Sequence, residues 1–157
     1  MGSCLSSSAG GTGNFVEKVV CQEDELKVGE LKEVELEDKS LCVVVKDEKG
    51  QIQALSGKCP HYGASLAKGS YANGIIRCPW HGACFNAASG DIEDFPGLDS
   101  LYKYQVEVEG GEVKVKVDRS QLGKTKRTKK LVDKDPECKE VIVIVGGGAA
   151  AQVCYEL

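Results

Sequence analysis

Residues Lys58–Phe85 read KCPHYGASLAKGSYANGIIRCPWHGACF. The stretch holds Cys59 and His61, then Cys78 and His81, and these are the only two histidines in the 157-residue chain. Each lies within three residues of a cysteine, in the pattern C-x-H, sixteen residues, then C-x-x-H. Clustered Cys and His without a secretory context read as metal ligands rather than as a disulfide framework. Zinc would gather all four side chains into one tetrahedron, but Cys/His zinc sites usually bring like ligands together. Here each segment brings one thiolate and one imidazole. A 2Fe–2S cluster of mixed ligation needs that combination, with two cysteines on one iron and two histidines on the other. Pro60 and Pro79 restrict φ beside the leading cysteines. Gly63 and Gly82 follow the histidines and allow the backbone to pass close to a bound group.

Outward from these segments the texture is β. Leu41-Cys42-Val43-Val44-Val45-Lys46 is rich in β-branched residues, Asp47-Glu48-Lys49-Gly50 supplies a turn, and Gln51-Ile52-Gln53-Ala54-Leu55 returns. Asn73-Gly74 is a two-residue hairpin signal that delivers Ile75-Ile76-Arg77 into Cys78. Tyr102–Val108 alternates, turns at Gly110-Gly111 and returns as Val113–Val117, so each strand should bury one face. No long amphipathic helix interrupts. The expected fold is all-β: a compact antiparallel domain over residues 15–118 with the two Cys/His segments as loops at strand ends. Cys42 should be a small core residue and Cys84 a thiol outside the ligand set.

Composition sets the bounds. With 41% hydrophobic residues the chain can build a core, and a formal charge of -4 does not point to nucleic acid. No apolar run reaches the length of a membrane-spanning helix. The first basic residue is Lys18 and no apolar stretch precedes it, so no signal peptide is read.

The two ends have their own signals. Residues 1–14, MGSCLSSSAGGTGN, are expected to be disordered. Met1-Gly2-Ser3-Cys4-Leu5-Ser6 matches the N-myristoylation pattern, and Cys4 is a candidate palmitoylation site beside Gly2. Two acyl chains would make a stable anchor. Residues 119–139 form a basic linker, with Lys124–Lys130 either solvated or assisting attachment to an anionic leaflet. From residue 140, Val141–Val145 is an apolar run that leads into G-x-G-x-x-A at Gly146, Gly148 and Ala151. Such a strand-to-glycine transition is a dinucleotide-binding signal. The sequence is expected to break off inside this second domain.

The chain resembles the Rieske 2Fe–2S domains. Cys59-Pro60-His61-Tyr62-Gly63-Ala64-Ser65-Leu66 looks like their first cluster loop and Cys78-Pro79-Trp80-His81-Gly82-Ala83-Cys84-Phe85 like the second; Ser89-Gly90-Asp91 resembles the turn that follows. More narrowly, the layout, including Asp94-Phe95-Pro96-Gly97-Leu98-Asp99-Ser100-Leu101, is similar to the apoptosis-inducing factor-like family, in which a Rieske domain precedes an FAD/NAD(H) reductase region. The resemblance implies a Rieske-type antiparallel β-sandwich followed by a truncated βα stub of a Rossmann-like FAD domain.

It also implies roles. Cys59, His61, Cys78 and His81 would hold the cluster, and FAD and NAD(P)H would belong to the missing domain. The positions of the loop-bridging disulfide in respiratory members are Ala64 and Trp80 here, and those of their hydroxyl donors to the cluster are Ala83 and Phe85. Both departures imply a ferredoxin-type centre of low potential, since hydrogen bonds to the cluster raise the potential. A Rieske oxygenase would need a second, mononuclear iron on two further histidines, and none remains. The expected function is one-electron transfer in an intracellular, membrane-associated cytoplasmic protein, with association with mitochondria and apoptosis implied only by the resemblance. The flavin domain of the parent chain is the expected electron partner; the acceptor is unassigned. The alternative is a redox-silent binding module with a structural Fe–S or zinc site.

Overall fold

The computed structural model describes residues 14–37 and 39–128, with the isolated positions Glu137 and Lys139. Gly2, Cys4, the Val141–Val145 run and the glycine motif at Gly146, Gly148 and Ala151 lie outside the described residues.

Six strands form the base sheet: β1 Phe15–Gln22, β2 Leu31–Glu35, β3 Leu41–Lys46, β4 Ile52–Ser56, β10 Lys103–Glu109 and β11 Glu112–Asp118, in the order β1-β11-β10-β4-β3-β2. Every named pairing in it is antiparallel. A second sheet of four short strands, β5 Ser70–Ala72, β6 Ile75–Arg77, β7 Cys84–Asn86 and β8 Ile92–Asp94, carries the two Cys/His loops. A third ladder pairs β9 Asp99–Ser100 with β12 Arg127–Thr128. The helical content among the described residues is two 3-10 turns, Glu23–Glu25 and Leu66–Lys68.

The β-branched run of β3 explains the layering. Cys42, Val43, Val44 and Val45 are all fully buried, so β3 is covered on both faces. Val43 and Val45, with Leu55, face the small sheet and pack with Leu66, Ile76, Phe85 and Leu101. Cys42 and Val44, with Ala54, face the other way and pack with Tyr104, Val113, Val115 and Val117, over which the base sheet curls. The strict alternation of β11 is thus realised, with Val113, Val115 and Val117 all inside. On β10 it fades: Tyr104 is buried, Val106 half-buried and Val108 exposed, although Val108 pairs with the fully buried Val113. Cys42 is a core residue as expected, and burial pushes its thiol far above the ordinary range.

Two turns deliver the second loop. Asn73 (φ 52°) and Gly74 (φ 80°) both adopt the left-handed region, the backbone of a type I′ hairpin, and join β5 to β6. β6 then pairs with β7 in the register Ile75↔Asn86, Ile76↔Phe85 and Arg77↔Cys84. The segment Cys78–Ala83 is therefore a hairpin loop at the end of that ladder.

Part of the segment expected as a linker is attached to the domain. Leu122 packs against the second core. Arg127 donates through Nε to Leu101 O (2.8 Å) and through Nη2 to Asp91 Oδ1 (2.6 Å) and Ser89 O (3.2 Å).

Candidate metal centre

The two Cys/His loops share one backbone frame. In the first, Cys59 N–H donates to Ala64 O (2.8 Å) and Gly63 N–H to Cys59 O (2.8 Å). In the second, Cys78 N–H donates to Ala83 O (2.9 Å) and Gly82 N–H to Cys78 O (3.2 Å). The partners stand at the same offsets from each cysteine, and Gly63 and Gly82 have the same φ of 78°. That angle favours glycine. An added Cβ at Gly63 would meet no protein atom within 4 Å, so conformation rather than crowding by the protein calls for glycine there. Within this common frame the histidine occupies a different step, the second position after Cys59 and the third after Cys78.

The arrangement brings the four expected ligand side chains to one end of the small sheet. Cys59 and Cys78 are buried, at 2% and 4% exposure, inside the cluster of Val43, Leu55, Leu66, Ile76 and Phe85. They are close enough for Cys78 to raise the Cys59 pKa. The histidines lie outward: His61 is half-buried and His81 exposed. Their rings face each other edge-on, with centroids 5.0 Å apart. Tyr62 lies against both, 4.2 Å from His61 and 5.6 Å from His81, and Trp80 is 6.4 Å from His81. The loop between β8 and β9 completes the rim: a Cβ added at Gly97 would sit 3.7 Å from His61 Cβ. Tyr62 and Trp80 are exposed at this edge, and Phe95 and Leu98, on either side of Gly97 in the chain, are exposed as well.

The electrostatics separate the two halves. Burial pushes the Cys59 thiol up to about 11; the His61 backbone N–H, a donor that favours the thiolate, works in the opposite direction, and neighbouring Cys78 adds to the rise. The Cys59 thiol therefore keeps its proton until a cation joins it, and metal binding supplies that cation. Among the described residues no three His, Cys, Asp or Glu side chains are grouped to hold a single ion. A single-ion site takes three or four such ligands. A 2Fe–2S centre of mixed ligation takes two per iron, so a buried thiol pair beside an outward imidazole pair fits it.

The neighbouring residues fall as follows. Ala64 and Ala83 are buried beneath the loops, Phe85 is fully buried and Trp80 is 62% exposed. Cys84 is buried on β7, its Sγ 3.3 Å from Gly82 O, and stands outside the thiol pair. The one contributor that sequence reasoning passed over is the Arg127 contact. Its only prior signal was a basic residue in a basic run, which gives no partner.

Comparison with known proteins gives one answer. The family model described as Rieske [2Fe-2S] domain matches residues 16–105. Apoptosis-inducing factor 3 of Mus musculus is 45% identical over 146 residues, which is 90% of this chain and 24% of that protein. The chain thus spans about a quarter of the length of the mouse and human apoptosis-inducing factor 3 proteins. Among solved structures, Sphingomonas yanoikuyae B1 ferredoxin superposes with a TM-score of 0.60 at 30% identity, covering 64% of this chain and 97% of that one. A structure titled as the complex of reduced oxygenase and oxidized ferredoxin in carbazole 1,9a-dioxygenase superposes with a TM-score of 0.60 at 30% identity, covering 63% of this chain and 91% of that one. This chain belongs to the Rieske 2Fe–2S family, and its ferredoxin-like relatives support a function in electron transfer.

Proposed function

We propose that the chain is the one-electron carrier of a larger flavin-dependent NAD(P)H oxidoreductase, with Cys59 and Cys78 holding one iron of its cluster and His61 and His81 the other. The observation that carries this reading is the pairing of like side chains from unlike loops: two thiols together in the core, two imidazoles together at the edge. When bound, the cluster supplies reversible uptake of a single electron at low potential. The protein residues have separate tasks. The apolar shell of Leu55, Leu66, Ile76 and Phe85 excludes water from the thiol side. The backbone N–H groups of His61 and Tyr62 favour the thiolate of Cys59. Ala83 and Phe85 offer no side-chain hydrogen-bond donor, which supports a low potential.

The partner is a following domain that binds FAD and is reduced by NAD(P)H. Its support is the Gly146, Gly148 and Ala151 motif together with the 45% identity to a relative about four times as long. Gly2 and Cys4 carry acyl groups that hold the protein at the cytoplasmic face of an intracellular membrane, on the support of the N-terminal motif. A role in apoptosis has the name of that relative as its support; association with mitochondria has only the family resemblance.

The deciding experiment is spectroscopic. The purified chain should show the visible absorption of a 2Fe–2S cluster and, after reduction, the low average g value of mixed His/Cys ligation by EPR. His61→Ala or His81→Ala should abolish that signal. A colourless protein containing one zinc per chain would refute the proposal.

A further inference from the structure

The structure assigns to Arg127 a positioning role: it staples the base of the loop whose tip lies against His61, and so sets how much water reaches the histidine edge. This inference rests on the reading of His61 and His81 as cluster ligands. The loop runs from Ile92 to Ser100, and its tip at Gly97 approaches His61. Its two limbs are held differently. The outgoing limb, β8, pairs with β7 and belongs to the four-stranded sheet. The returning limb, β9, has β12 as its one strand partner among the described residues. β12 is Arg127 and Thr128.

Arg127 reaches both ends of the loop at once. Its Nη2 bonds Ser89 O and Asp91 Oδ1, immediately before the loop, and its Nε bonds Leu101 O, immediately after it. Thr128 Oγ1 adds a bond to Asp99 Oδ1 (3.1 Å), and Lys126 Nζ lies 3.8 Å from Asp99 Oδ2. The loop also closes itself through Ile92 N–H to Ser100 Oγ (3.1 Å) and Leu101 N–H to Gly90 O (2.7 Å). The tip carries Phe95 and Leu98, both exposed. Between them Gly97 lies against His61, so a displaced loop would admit water beside the ring where, on the proposed ligation, negative charge would arrive on reduction. A lysine cannot replace the staple, because only the planar guanidinium spans the carbonyls and the carboxylate together.

The test uses the whole 157-residue chain loaded with its cluster. Arg127→Ala, Arg127→Lys and Asp91→Asn are compared by redox potentiometry and by amide hydrogen exchange. With Arg127→Ala, exchange at Ile92 and Leu101 should accelerate roughly ten- to a hundredfold, the range set by losing two or three partly exposed hydrogen bonds. Exchange at Val43–Val45 should not change. The midpoint potential should rise, because added water stabilises the more negative reduced state. Arg127→Lys and Asp91→Asn should shift both readouts the same way by less. Simple loss of a positive charge predicts the opposite sign: a lower potential in Arg127→Ala and none of the change in Arg127→Lys. Unchanged exchange at Ile92 and Leu101, or faster exchange with a potential that stays or falls, overturns the inference. If Arg127→Ala fails to load, the two milder variants carry the same comparison. A wild-type chain that binds no 2Fe–2S cluster refutes the proposed function instead, while the exchange comparison still tests the staple.

Discussion

If the centre has the low potential proposed for it, replacing Ala83 by Ser and Phe85 by Tyr should raise that potential by a predictable amount. Both positions are buried, at 1% and 0% exposure, so a hydroxyl placed there acts without screening by solvent. A hydrogen bond to a charged acceptor contributes about 1.5–3 kcal/mol. The part that counts is the difference between oxidised and reduced states, on the order of 1 kcal/mol per bond, or ~2 kcal/mol for two. For one electron, a tenfold change in equilibrium is about 59 mV and about 1.4 kcal/mol, so the double variant should rise by roughly 90 mV. The assay is protein-film voltammetry beside thermal melting. Melting serves as the control, because Phe85 sits in a close-packed cluster with Leu66 and Ile76. A tyrosine hydroxyl that finds no partner there costs about 1–3 kcal/mol and should lower the Tm by roughly 5–20 °C. A preserved Tm with a raised potential is the expected result. A preserved Tm and a crystal structure with both hydroxyls on the cluster, yet an unchanged potential, would refute the hydrogen-bond argument.

Three further outcomes are expected. His61→Cys or His81→Cys should lower the midpoint potential, since a thiolate adds negative charge where a neutral imidazole stood; an unshifted voltammogram counts against the ligand assignment. Gly69→Ala should destabilise the domain by about 3 kcal/mol or more, because the new Cβ would fall 2.1 Å from Arg77 O and 3.0 Å from Leu66 O, both backbone, whereas Gly63→Ala, strained only in φ, should cost about 1–2 kcal/mol; urea titration gives the ranking. Gly2→Ala and Cys4→Ser should each move the protein from the membrane pellet to the supernatant, and equal pelleting of wild type and Gly2→Ala would remove the acylation proposal.

What could be read from the sequence was whatever depended on local chemistry. Leu41–Lys46 announces β3 by its β-branched run, and Asn73-Gly74 announces its hairpin because two successive positive φ values suit those residues. The cysteine and histidine spacing announces the loops for the same reason: a common frame of hydrogen bonds at fixed offsets needs proline and glycine at fixed steps. What escaped was long-range pairing. β1 meets β11 across about a hundred residues, and nothing in either strand names the other. The two-residue strands β9 and β12 are too short to carry a period, and Arg127 stands in a basic run that reads as solvated. Its partners are two carbonyls and a carboxylate from three places in the chain, a match only the folded backbone reveals.

The one-sided burial of the four ligand positions bears on how traffic through the protein must be organised. On the thiol side, Cys59 and Cys78 are walled in by Val43, Leu55, Ile76 and Phe85, with the whole base sheet behind them. On the imidazole side His61 is half-buried and His81 exposed. With the proposed ligands, a donor and an acceptor that both approach through this edge would compete for one patch of surface. Such partners would exchange places rather than dock together, and turnover would then be bounded by how fast one leaves and the next arrives.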